Sequence, residues 1–270
     1  MPDNPDASEG LDVAHYVDVQ LRLRQLKSQF PSTTVESLAR EVLQRIARDA
    51  VAEVARAPGH AKIIELCEAL IDTDDQAGAR FIREVRARGT PVESIYLNYL
   101  AGAAHMLGTW WEENRATFAE VTVGTSRMYA IMRAMQRDLP PVSLKPGKVA
   151  VFATVPGEEH VLGVRMAADL FRKEGWDIAL KIGKSHDELV AEMADSQVLV
   201  IGLSASSDRV LEALSRLILA LRIQNPMISI FVSGKVVEDY EDTVALMDVD
   251  GMAPDYHSAK RLLDAHVSRQ

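Results

Sequence analysis

The hydrophobic pattern of the chain changes period once, across Leu139–Pro140–Pro141–Val142–Ser143–Leu144–Lys145–Pro146–Gly147. Proline removes a backbone donor and clashes with a preceding helical turn, so this stretch reads as a linker between two differently built halves. Before it, apolar residues recur at helical spacing, as in Val35, Leu38, Val42, Leu43, Ile46, Ala50 and Val54. After it, short β-branched runs alternate with helical segments. No stretch before residue 139 alternates as a strand does.

Residues 1–14 are polar and acidic and read as a disordered tail. Helices are predicted over 15–28 and 34–57, the second opened by a Thr33/Glu36 capping box. Four more follow at 60–72, 74–88, 91–109 and 116–138. Thr73/Gln76 is a second candidate capping box, and Pro91 stands at a first helical position. The helical domain therefore spans 15–138, with two extra helices (15–57) ahead of a four-helix bundle (58–138). The linker covers 139–147 and the second domain 148–270. In that domain, strands are predicted at 149–155, 178–182, 198–203, 228–232 and 249–253. Helices are predicted at 160–174, 186–195, 208–224, 236–247 and 256–267. Near-continuous apolar strands alternating with helices imply a parallel sheet covered on both faces. The expected architecture is α plus α/β: a helical bundle, then a flavodoxin-like (Rossmann-like) five-stranded sheet in the order 2-1-3-4-5. Ligands in such sheets bind beyond the carboxyl ends of the strands, at the switch point, so the loops after strands one and three matter most.

Bulk properties narrow the function. Of the 270 residues, 47% are hydrophobic and 26% charged, and one is a cysteine. A lone Cys67 at helical spacing excludes an internal disulfide and a cysteine-based zinc site, and reads as core. The net charge of −9 argues against a stand-alone nucleic-acid binder. No apolar run is long enough to span a membrane and the first residues lack a signal-peptide pattern, so the expected compartment is the cytoplasm.

The chemistry gathers in the loop after strand one, Val155–Pro156–Gly157–Glu158–Glu159–His160–Val161–Leu162–Gly163. Pro156–Gly157 turns the chain and His160 leaves the strand tip. Glu158, two residues earlier, is placed to fix the imidazole tautomer and raise its basicity as a metal ligand. Gly163 allows the following helix to approach the sheet or a ligand closely. Ser204 and Ser206 follow strand three, where they hydrogen-bond a ligand or cap the next helix. Ser233–Gly234 after strand four leaves room for something bulky. His186 sits in Ser185–His186–Asp187–Glu188, a capping box. We find no phosphate-cradling glycine loop, nucleophile elbow or metal-ligand cluster beyond His160, and the expectation is a non-enzyme.

The joint spacing of E-x-H-x-x-G, S-x-S and S-G resembles the D-x-H-x-x-G … S-x-L … G-G motif of methionine synthase-type cobalamin-binding domains. Glu158 stands for Asp, Ser206 for Leu and Ser233 for Gly. P-G-E-x-H-x-x-G also resembles the version in light-sensing B12 repressors of carotenoid genes. The resemblance implies His160 as the cobalt ligand, and Ser204, Ser206, Ser233 and Gly234 lining the pocket for the nucleotide tail. Those photoreceptors carry W-x9-E-H on the bundle above the ring. Here Trp110 and Glu120 are kept, Val121 replaces the upper histidine, and Trp110–Trp111 are read as an aromatic lid. From the residues alone, an ordinary core position for these tryptophans stays open.

Over nearly its whole length the layout, with G-T-W-W-E-E and F-A-E-V-T-V-G in the bundle, looks like the AerR/PpaA-type antirepressors of photosynthesis-gene regulation. That resemblance implies a sensor loaded with hydroxo- or adenosylcobalamin that acts on a DNA-binding transcriptional repressor, touching DNA only indirectly. Light is a candidate signal, and helices 15–57 are candidates for homodimer or partner contacts. The alternatives are a corrinoid methyl-carrier subunit of a methyltransferase and a haem sensor, since one axial histidine serves either metal ring.

Overall fold

The computed structural model describes residues 58–137 and 142–269. The expectations for the tail, for helices 15–28 and 34–57, for the Thr33/Glu36 capping box and for the first part of the linker lie outside the described residues. Four helical stretches come first: α1 (His60–Ile71), α2 (Ala77–Ala87), then α3 (Val92–Ser94) running through a π-helical segment (Ile95–Leu100) into α4 (Ala101–Glu112), and α5 (Phe118–Arg137). Their apolar stripes meet. Leu66, Cys67 and Leu70 of α1 face Ala103, Leu107 and Trp110 of α4 and Met128, Ile131 and Met132 of α5 in one core. Burial pushes the Cys67 thiol up to about 12, with Glu68 adding to the shift, so it stays a neutral packing group.

Two local starts differ from expectation. Thr73 does not cap α2. The carboxylates of Asp72 and Asp74 outcompete it, accepting from the backbone N–H of Asp74 (2.7 Å) and Gln76 (2.9 Å). Pro91 is the cap residue before α3 rather than its first helical residue. The Ser185/Glu188 capping box forms as expected.

The second half alternates β1 (Val149–Thr154), α6 (Leu162–Lys173), β2 (Asp177–Lys181), α7 (His186–Ala194), β3 (Val200–Ser204), a 3-10 turn (Asp208–Val210), α8 (Leu211–Gln224), β4 (Ser229–Ser233), α9 (Lys235–Asp239), α10 (Glu241–Ala245), β5 (Gly251–Ala253) and α11 (Tyr256–Val267). The sheet order is β2-β1-β3-β4-β5, all parallel. This is the order expected from right-handed crossovers with one switch point. Thr154, Ser204 and Ser233 stand in register at the carboxyl edge, so the loops after β1, β3 and β4 leave side by side. Among the described residues, no helix is long and apolar enough to cross a membrane.

From Pro58 onward the chain is one compact unit. The helical core continues onto α6 and the β1–β2 side of the sheet, where Val164, Leu170, Phe171 and Trp176 join it. One buried charge crosses that junction. Asp169 of α6 accepts hydrogen bonds from the Tyr96 hydroxyl in the π-helical segment (3.2 Å) and from Gln136 of α5 (2.6 Å), and Arg172 lies beside it. Burial, then the neighbouring Asp169 charge, raises the Tyr96 pKa, so the phenol remains a donor. Asp169→Ala leaves the Tyr96 hydroxyl only its longer bond to the Met132 carbonyl (3.4 Å) and frees the exposed Gln136 amide to water, and is expected to cost about 1–3 kcal/mol in all. Chemical denaturation of the full chain measures it, and a change within error of zero would show the junction to be held by apolar contact alone.

Candidate functional site

The loop after β1 is shaped by its own turn. The Glu158 N–H donates to the Val155 carbonyl (2.9 Å), and Gly157 at φ +86° follows Pro156, the residue pair that suits a tight turn of this hand. Val155 itself continues the ladder by donating to the Ser204 carbonyl (3.1 Å). The turn gives two side chains of the loop very different exposure. The Glu158 side chain is 2% exposed and that of His160 is 75% exposed.

Four hydrogen bonds converge on the Glu158 carboxylate. Oε1 accepts from the His160 backbone N–H and from His160 Nδ1, both at 2.7 Å. Oε2 accepts from the Ser206 N–H and the Ser206 hydroxyl, both at 2.7 Å. Ser206 Oγ also lies 2.8 Å from His160 Nδ1. Burial pushes the Glu158 pKa up, but these bonds outweigh it and hold the group below the usual carboxylate range. An ionised carboxylate only accepts, so the imidazole proton sits on Nδ1 and the lone pair on Nε2, which faces outward. This is the arrangement of a histidine prepared to ligate a metal from outside the loop.

Gly163 lies one turn on, in α6. A Cβ there would meet nothing within 4 Å, so the glycine is not needed for helix-to-sheet packing, and the space it leaves is on the exposed side. Gly234 is different. At φ +106° an added Cβ would stand 2.3 Å from the Ala205 carbonyl oxygen, because Ala205 is clasped to the β4 tip through its N–H to the Ser233 carbonyl (3.0 Å). Gly234 thus keeps the residue before Ser206 in place.

The structure brings Glu158, His160 and Ser206 into contact and sets Ser204, Ser233 and Gly234 beside them. It does not join the bundle residues to that cluster by any hydrogen bond among the described residues. Trp110 is buried in the bundle core with the Arg115 guanidinium 5.0 Å over its ring, while Trp111 points to solvent. Glu120 is exposed and closes a capping box at the start of α5, its carboxylate 2.7 Å from both the N–H and the hydroxyl of Thr117. Val121 is half-buried against the core. Reading the sequence missed that box, although Thr117-x-x-Glu120 carries its signature. It also missed Asp169, whose one signal was a carboxylate on the inward stripe of α6.

Among the described residues no three His, Cys, Asp or Glu side chains stand together as a metal site. A corrin or porphyrin ring brings its own nitrogen ligands and asks of the protein a single outward histidine such as His160. The outward Nε2, the Glu158 carboxylate behind Nδ1 and the open ground over Gly163 fit such a group.

Comparison with known proteins agrees. Residues 148–257 match the B12 binding domain model, and residues 63–136 match a second B12 binding domain model. The two matched segments lie on either side of the linker, and the chain thus resembles B12 binding domains in both halves. A Rhodobacter capsulatus relative, described as an uncharacterized 20.5 kDa protein in the bchF-crtJ intergenic region, is 27% identical over 174 residues, covering 62% of this chain and 88% of the relative. The solved Methanosarcina barkeri monomethylamine corrinoid protein superposes with a TM-score of 0.64 at 16% identity, over 78% of this chain and all of the other. It shares the fold. These findings bear out the resemblance read from the sequence and support cobalamin binding.

Proposed function

We propose that this chain is a cobalamin-gated regulator that acts on a DNA-binding partner protein. The observation that carries the ligand assignment is the Glu158–His160–Ser206 cluster, a histidine fixed in one tautomer with its free nitrogen outward. The relative in the bchF-crtJ intergenic region supports the regulatory side, in line with the AerR/PpaA-type resemblance. His160 is the proposed axial ligand. Ser204, Ser206, Ser233 and Gly234 are proposed to line the tail pocket. Trp111, Glu120 and Val121 are proposed to face the ring from the bundle, with Trp110 stiffening the helix behind them. Cobalamin, if bound, would supply a cobalt centre that exchanges ligands.

The chain's own residues give that event a route outward. Glu158 ties His160 to the β3 loop through Ser206. Two residues after His160, α6 begins, and α6 carries Asp169 to its bonds with Tyr96 and Gln136 of the bundle. A change in the position of His160 thus bears on the bundle contact. A ligand shifts such an equilibrium only by its different affinity for the two arrangements.

The test is to load the full chain with hydroxocobalamin, adenosylcobalamin or haem, desalt it, and record hydrogen exchange across α5 and α6 against the empty protein. Regulation by cobalamin predicts retention of cobalamin and a ligand-dependent change in exchange at the Tyr96–Asp169–Gln136 junction. Retention of haem alone turns the assignment to a haem sensor. Unchanged exchange, together with methyl transfer to the bound cobalt by a partner methyltransferase, would make the chain a methyl carrier instead.

A further inference from the structure

On the far side of the sheet from the helical bundle, one guanidinium gathers three segments. Arg222 of α8 donates to the Asp248 carbonyl (2.9 Å), to the Asp250 carboxylate (2.6 Å) and to the Ile228 carbonyl. Each of these segments carries a large apolar side chain into solvent beside that knot. Leu219 and Ile223 flank Arg222 on α8 at 63% and 74% exposure. Met227 precedes Ile228 at 77%. Leu246 stands two residues before Asp248 at 87%. Single exposed apolar residues are ordinary, but several on segments tied together by one half-buried arginine make a patch.

The charge around the patch is acidic on balance. From Glu238 to Asp250 the chain carries Glu238, Asp239, Glu241, Asp242, Asp248 and Asp250 and no lysine or arginine. Nearby Arg216 is paired with Glu212, Lys235 with Asp239, and Arg222 itself is spent on the two aspartates. A second copy of this chain would set acid against acid across the face, in a protein whose net charge is already −9. The complement of an apolar stripe rimmed with carboxylates is an amphipathic helix rich in lysine and arginine.

We infer that the Leu219–Ile223–Met227–Leu246 face docks a basic amphipathic segment of the partner protein. The inference rests on the regulatory reading above and adds the surface and its mode of action. A segment of that composition is also what neutralises DNA phosphates. Occupying it here and leaving it on DNA are therefore mutually exclusive, which supplies a direct way to relieve a repressor.

The experiment places a photo-crosslinking residue at Leu246 of the full chain, and in a second protein at Phe118 on the bundle, and illuminates the source cells. The expected adduct at Leu246 is to a foreign protein, through a segment with excess lysine and arginine and apolar residues three and four apart. That segment, made as a peptide, should bind the purified chain, lose about tenfold in affinity on Ile223→Ser, the size of effect a central interface side chain carries, and be released by added salt and by duplex DNA. An adduct between two copies, to residues 1–57 of the same chain, or to a neutral or acidic segment would overturn the inference, as would no adduct at all. The two readings fail separately. A basic segment from a protein that does not bind DNA keeps the surface and removes the regulatory reading. A DNA-binding protein captured only at Phe118 does the reverse.

Discussion

Glu158→Gln is expected to weaken cobalamin retention about 10–100-fold, the range found when an outer-shell partner of a metal-bound histidine is lost. All four groups around the Glu158 carboxylate are placed to donate: the His160 N–H and Nδ1–H at one oxygen, the Ser206 N–H and O–H at the other. A carboxylate satisfies all of them. A glutamine amide has the same shape but one end that only donates. If that end faces Ser206 it opposes a backbone N–H that cannot turn away. If it faces His160 it opposes the imidazole proton and favours the other tautomer, which puts hydrogen on Nε2 and blocks ligation. Either way the bridge between the β1 and β3 loops breaks on one side. Equilibrium dialysis with hydroxocobalamin measures the loss. Unchanged affinity in this variant would mean that the carboxylate does not prepare the histidine.

Gly234→Val is expected to be the most destabilising single change at the site. Its backbone lies at φ +106° and ψ −178°, a region that only glycine occupies freely, so a side chain adds about 1–3 kcal/mol of strain. The Cβ would overlap the Ala205 carbonyl oxygen at 2.3 Å, and that oxygen belongs to backbone locked between β3 and β4. Forcing it aside adds about 1–3 kcal/mol more. For a chain of this size the sum lowers Tm by on the order of 10 °C. Because Ala205 precedes Ser206, the surviving fold should also hold Glu158 less well. Gly163→Ala serves as the contrast. With open space around it, it should leave Tm unchanged or slightly raised while hindering a ring lying over the loop. Loss of stability at Gly163 with none at Gly234 would reverse the roles assigned to the two glycines.

How much of this was legible beforehand follows from the range of each interaction. The strands and helices were legible because burial imposes its period on neighbouring residues, and the strand order because a parallel sheet with short crossovers has few alternatives. The His160 loop was legible too, since Pro156, Gly157, Glu158 and His160 act on one another within five residues. Ser206 was readable only as a hydroxyl at a strand tip. Its bond to Glu158 closes over 48 positions, and nothing local encodes that. Asp169 was unreadable for the same reason, its partners lying 73 and 33 positions away. At α2 and α5 two local motifs competed. Thr73 lost its cap to Asp72 and Asp74, and Glu120, which is also proposed to face the ring, caps α5 with Thr117 three residues before it.

The central claim is that His160 is the residue through which the chain holds its cofactor. The full chain and His160→Ala should be loaded side by side with hydroxocobalamin in the dark, desalted, and their absorption spectra compared. The wild-type spectrum is expected to be shifted from that of free cobalamin, and the variant either to release the cofactor or to keep it with the unshifted spectrum. A variant that keeps the cofactor with the wild-type spectrum would contradict it.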